Sequence, residues 1–119
     1  MPCYSERLLI KLMWERGHAV RSGERAMTID EFRASRADQL DGPLLALWWD
    51  AKGDWNKAHE VAQEVEAADG AWVHAYLHRK EGDQGNAAYW YRRSGRPLAK
   101  GDLQDEWERI VEEMLARRT

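Results

Sequence analysis

His74 and His78 stand four residues apart in "GAWVHAYLHRKEG", a spacing that stacks two imidazoles on one helical face, where they can share a metal ion. His59, in "DWNKAHEVAQ", falls on the preceding predicted helix, which helix stacking brings near. A metal site needs three or four converging ligands, so His59, His74 and His78 are the metal-ligating candidates. No Glu follows His74, so the zinc-protease pattern H-E-x-x-H is not spelled out. The competing reading makes His74 and His78 core-edge residues hydrogen-bonded to a neighbour. On the opposite strip of that helix Trp72, Tyr76 and Arg79 follow at i, i+4 and i+7. Aromatic faces beside a guanidinium fork can hold an extended peptide or its carboxylate. The bland reading has Trp72 and Tyr76 packing against an upstream helix.

Further on, "YWYRRSGR" groups Tyr89, Arg92, Arg93 and Arg96. Interleaved aromatic and Arg side chains can stack on bases or clamp a phosphorylated partner. The net charge of −3 favours instead a solvated face with Arg92 or Arg93 paired to an acid. There is no nucleophile elbow and no paired-Cys motif, and "GDQGN" is too short for a phosphate-cradling loop. The carboxylates have helix-surface spacing. No catalytic residue and no cofactor is therefore expected.

The elements that must position these groups announce themselves by repetition. "LLALWWDAKGDWNKAHEVAQEV" at 44–65 recurs in pattern as "VHAYLHRKEGDQGNAAYWYRRS" at 73–94, displaced by 29 residues. Gly53 maps onto Gly82, Asp54 onto Asp83 and Ala58 onto Ala87. A period near 30 with a Gly-Asp turn in each copy marks stacked helical hairpins. The same offset puts His74 on Leu45 and His78 on Trp49, both packing positions, which is the case for the core-edge reading.

The predicted elements are helices over 43–52, from 54 to 65, over 70–81 and from 83 to 94. Gly53 and Gly82 supply left-handed caps, and Asp54 and Asp83 supply oxygens for the next helix's amides. Ala58, Val61, Ala62 and Val65 form an i, i+3, i+4, i+7 stripe, reproduced by Ala87, Trp90, Tyr91 and Ser94. Upstream, Thr28 and Glu31 form a capping box that starts a helix over 29–40. Downstream, 102–117 reads as a closing helix with Leu103, Trp107, Ile110, Val111, Met114 and Leu115 on one face. Residues 5–16 read as an amphipathic helix. The stretch 1–26 is either a capping or dimerising extension or sequence upstream of a true start at Met27, because composition and charge shift there.

With 119 residues, 44% of them hydrophobic, residues 27–119 make one all-α domain: two stacked hairpins, a flanking amino-terminal helix and a carboxy-terminal capping helix. The lone Cys3 cannot form an internal disulfide, which is compatible with a reducing cytosol, and cytoplasmic is the default expectation. No run of about 18 apolar residues exists, so no membrane partner is expected. Residues 1–26 hold five Lys/Arg against three Asp/Glu, and 27–119 hold thirteen against eighteen. An acidic body lacks the electrostatic footprint of a nucleic-acid binder.

At "KGDWNKAHEVAQEV" and "EGDQGNAAYWYRRS" the chain resembles the turn and second helix of tetratricopeptide repeats over 43–97, with Ala58 and Ala87 at the small-residue position. The 29-residue period is shorter than that family's. The string at 70–97 also resembles a group of small bacterial proteins of unassigned function, which implies no activity. Tetratricopeptide-like units imply a non-enzymatic adaptor that docks a peptide or protein on the surface lined by first helices. Leu47, Asp50, Trp72, Tyr76 and Arg79 would be its contacts. The rivals are a metal- or ligand-binding enzyme built on His59, His74 and His78, and a homodimerising module that uses 5–16 or the closing helix. Asp54→Ala should cost about 1 kcal/mol in a urea titration through the lost cap, and leave binding untouched.

Overall fold

Backbone conformation at two Gly-Asp pairs divides the chain into hairpins. The computed structural model describes residues 27–118, and every regular element among them is helical. In order they are α1 (Ile29–Ala34), a 3-10 turn (Ala37–Gln39), α2 (Gly42–Ala51), α3 (Trp55–Gln63), α4 (Ala68–Glu81), α5 (Gln84–Ser94) and α6 (Leu103–Arg118). Gly53 has φ +87° and Gly82 φ +92°, the left-handed region where a Cβ is penalised. The Asp54 amide then donates to the Trp49 carbonyl at 3.0 Å, and Asp83 repeats this to His78 at 2.9 Å. The Asp54 carboxylate accepts from the Lys57 amide at 3.0 Å, and Asp83 from the Asn86 amide at 3.2 Å. The turn is thus built twice, bond for bond, at the predicted offset.

Small side chains let the helices close. Ala58, Ala62 and Ala87 are fully buried where α3 packs on α2 and α5 packs on α4, and α3 against α4 joins the two pairs. Three indole N–H groups tie elements to backbone carbonyls. Trp48 donates to Ser35 at 2.9 Å, Trp55 to Leu77 at 2.9 Å and Trp107 to Leu47 at 3.1 Å.

The helix expected over 29–40 is shorter. Its capping box forms, with Thr28 and Glu31 exchanging bonds of 2.9 and 3.1 Å. The helix then stops at Ala34, because Ser35 and Arg36 adopt extended backbone. The Ser35 hydroxyl donates to the Glu31 carbonyl, and the Gln39 side chain accepts from the Arg36 amide, so local polar bonds replace the helical ladder. The amphipathic helix read at 5–16, and the two readings of 1–26, lie outside the described residues. Among the described residues no helix is long and apolar enough to cross a membrane.

The closing helix does more than shield an end. α6 packs on α2 and α4, the first helices of the two hairpins, and α1 touches both α2 and α6. Trp107, Ile110, Val111, Met114 and Leu115 are buried there, with Trp107 tilted against Phe32 at 6.0 Å. Among them lies Glu106, 1% exposed. Its carboxylate accepts from Arg79 at 2.7 Å and from the Tyr91 hydroxyl. Arg79 also donates to the Gly101 carbonyl. Removing one partner of a buried ion pair strands the other, so Glu106→Ala should destabilise the chain by about 3 kcal/mol or more, measured by urea unfolding.

Candidate functional site

The five residues expected to line a peptide groove are interior. Leu47, Asp50, Trp72 and Tyr76 are all buried, and the Arg79 side chain keeps 12% of its exposure. The Tyr76 hydroxyl donates to Asp50 at 3.1 Å, and Lys80 bridges the same carboxylate at 2.8 Å. Burial first, and the Asp50 charge second, push the Tyr76 hydroxyl far above its usual range. The correction has a plain physical reason. The strip was read as facing a partner, but α6 of the same chain fills it, with Glu106 supplying the carboxylate that Arg79 was expected to take from a ligand. The apolar face of α6, read as a dimer surface in one alternative, is covered for the same reason.

The Arg cluster on α5 also departs from expectation. Among the described residues Arg96, and neither Arg92 nor Arg93, forms the acid pair, to Glu113 at 2.9 Å, and its guanidinium lies 3.6 Å over the Trp72 ring. Arg93 takes a hydrogen bond partner in the Tyr89 hydroxyl at 2.9 Å and stands 5.2 Å from the Trp90 ring centroid.

The three histidines, by contrast, come together. His59 on α3 and His74 and His78 on α4 present ring nitrogens that all lie within 4.8 Å of one another. Ring centroids are 4.6 Å apart for His59–His74, 5.1 Å for His59–His78 and 4.9 Å for His74–His78. The packing of α3 on α4 places His59 against both His74 and His78, which stand one turn apart on α4. Two indoles wall the cluster. Trp55 stacks on His59 at 4.9 Å with a 10° tilt, and Trp90 stacks on His74 at 4.0 Å with a 13° tilt. His74 and His78 are both buried, as their alignment with Leu45 and Trp49 at the 29-residue offset implies. That alignment carries no sign that Trp55 and Trp90 hold the rings in place.

Polar partners differ among the three. His78 Nδ1 lies 2.7 Å from Glu81 Oε2, a bond that leaves Nε2 as the uncommitted ring nitrogen. His74, only 6% exposed, makes no hydrogen bond to a described residue. Burial, and then the neighbouring His59 and His78, lower its pKa from 6.5 to about 4. Burial and then His78 lower His59 as well, with Glu81 opposing. Both rings are therefore neutral at pH 7, the form that ligates a metal, with no proton to displace.

The chain matches no family model, no curated protein and no solved structure. Its site rests on geometry.

Acid should weaken the metal-free protein. Below pH 6.5 the unfolded chain protonates its His74, while the folded chain resists until about pH 4. Stability from this group is complete above pH 6.5 and is lost as pH falls through that window. The groups facing His74 are His59 from α3, His78 from α4, and Trp90 and Arg93 from α5, with Glu66 across the shared cavity and Glu81 beyond His78. Urea midpoints measured between pH 7 and pH 4 should fall, and His74→Phe should flatten the slope.

Proposed function

We propose that this chain binds a divalent transition metal ion through His59, His74 and His78, with Glu81 orienting His78. The convergence of three imidazole nitrogens from two helices within 4.8 Å carries the reading. Metal–nitrogen bonds of about 2.0–2.1 Å in tetrahedral array put ligand nitrogens about 3.3 Å apart, so modest ring rotations close the set. A carboxylate on the far nitrogen of a ligating histidine is the usual means of fixing its tautomer and orientation, and Glu81 is placed to do this. Imidazole donors suit zinc, copper, nickel and cobalt. Three protein ligands leave a fourth position for water or a small ligand, which is the pattern of a reactive site more than of a structural staple.

The two hairpins serve as the frame for this site. We read them as a compact cousin of tetratricopeptide units because the Gly-Asp turn recurs bond for bond. The adaptor reading depended on an open strip from Leu47 to Arg79, and α6 covers that strip.

The test uses protein purified without a His-tag, titrated with zinc by calorimetry and with cobalt by visible absorption. One ion per chain is expected, with the intense d–d bands of four-coordinate cobalt. His59→Ala, at the least buried of the three rings, should keep the helical circular dichroism and weaken zinc binding at least 100-fold. Unchanged affinity in that variant, or no stoichiometric metal in the parent, sinks the proposal.

A further inference from the structure

A cavity of about 320 Å³ opens beside the histidine cluster, between α3, α5 and the start of α4. His74 and Trp90 form one wall, Ala62, Val65 and Ala71 the apolar floor, and Arg93 part of the rim. The volume falls at the small end of ligand sites, enough for a compact molecule of about ten heavy atoms. The floor exists because Gly70 admits the Val65 backbone, where a Cβ would lie 2.2 Å from the Val65 carbonyl oxygen. Any side chain at 70 would push that segment away.

Two of the lining groups are available to a ligand, the buried His74 and the solvent-exposed Arg93. His74 is a buried polar ring without a hydrogen-bond partner among the described residues, and burying an unsatisfied polar group is costly. Arg93 has no acid within ion-pair distance among the described residues, and its guanidinium is steadied by the Tyr89 hydroxyl and by the Trp90 face. A guanidinium fork best matches a planar carboxylate. Ala62, Val65, Ala71 and the Trp90 ring offer the body of such an acid an apolar side, with Gln63 and Glu66 as the polar part of the lining. Glu66, also lining the cavity, disfavours a second negative charge on the ligand.

We infer that this cavity binds a small monocarboxylate with an apolar body, its acid group at Arg93 and its body on the alanine-lined floor beside the metal centre. The inference rests on the metal reading, since the bound cation adds to the attraction for the anion through the shared His74 wall.

Benzoate is the probe, with benzamide as its neutral isostere and inorganic phosphate as the anion without an apolar body. Zinc is titrated first, then each probe by calorimetry on the zinc-loaded and metal-free chain, with the Trp90 indole resonance, assigned through Trp90→Phe, reporting location. Benzoate should bind zinc-loaded protein at least tenfold more tightly than benzamide or phosphate, and more tightly than it binds metal-free protein. Arg93→Gln should erase the preference over benzamide, whereas Arg92→Gln, at an exposed position outside the cavity, should keep it. Equal binding of benzoate and benzamide, phosphate competing as well as benzoate, or a preference that survives Arg93→Gln each overturns the inference. A chain that takes no zinc loses both readings, and one that takes zinc without benzoate selectivity loses only this one.

Discussion

The seating of α6 on the two hairpins centres on one buried carboxylate. Glu106 is 1% exposed and would be intolerable there as a lone charge. Arg79 of α4 and Tyr91 of α5 answer it, and those two bonds fix where α6 lies on the hairpins. Around that point the apolar contacts of Trp107, Ile110 and Val111 supply most of the burial energy, while the ion pair supplies the register. With α6 seated on α2 and α4, the first-helix face becomes core. The surface available for function moves to the other side, where α3 and α5 flank α4.

That side is unusual for what it keeps neutral. Burial, and then repulsion from the neighbouring imidazoles, disfavours a proton on His59 and His74, so both rings keep a lone pair for a ligand. Stacking on Trp55 and Trp90 limits ring rotation, which lowers the entropy lost when a ligand orders the site. Glu81 has a different task, because it pairs with His78 from the solvent side and leaves the inner nitrogen free.

Local signals were legible in the amino-acid order, and cross-element ones were not. The Thr28–Glu31 capping box, the Gly53–Asp54 and Gly82–Asp83 turns and the alanine stripe of α3 each involve residues within a few positions, so their chemistry shows in spacing alone. The convergence of His59 with His74 and His78 was also within reach, since hairpin stacking predicts it. The early end of α1 was missed because Ser35 and Arg36 are acceptable in a helix, and only their side-chain bonds decide against it. The filled strip was missed because Glu106 reads as one more surface acid among Asp105, Glu108, Glu112 and Glu113. One clue existed. Glu106 falls in the stripe of Leu103, Trp107 and Ile110, where a lone acid signals a buried partner. The small cavity had no sequence signature, since its wall, floor and rim come from three helices and a linker.

The distance along the chain between Glu106 and its partners shapes how the protein is made. Trp107 reaches back 60 residues to Leu47, and Glu106 reaches back 27 to Arg79. Hairpins formed before α6 docks leave a solvated guanidinium beside an uncovered greasy face. Until that helix docks, the two hairpins expose an adhesive face, so the seating of the Glu106 helix, and not the closing of the hairpins, ends the chain's exposure to aggregation.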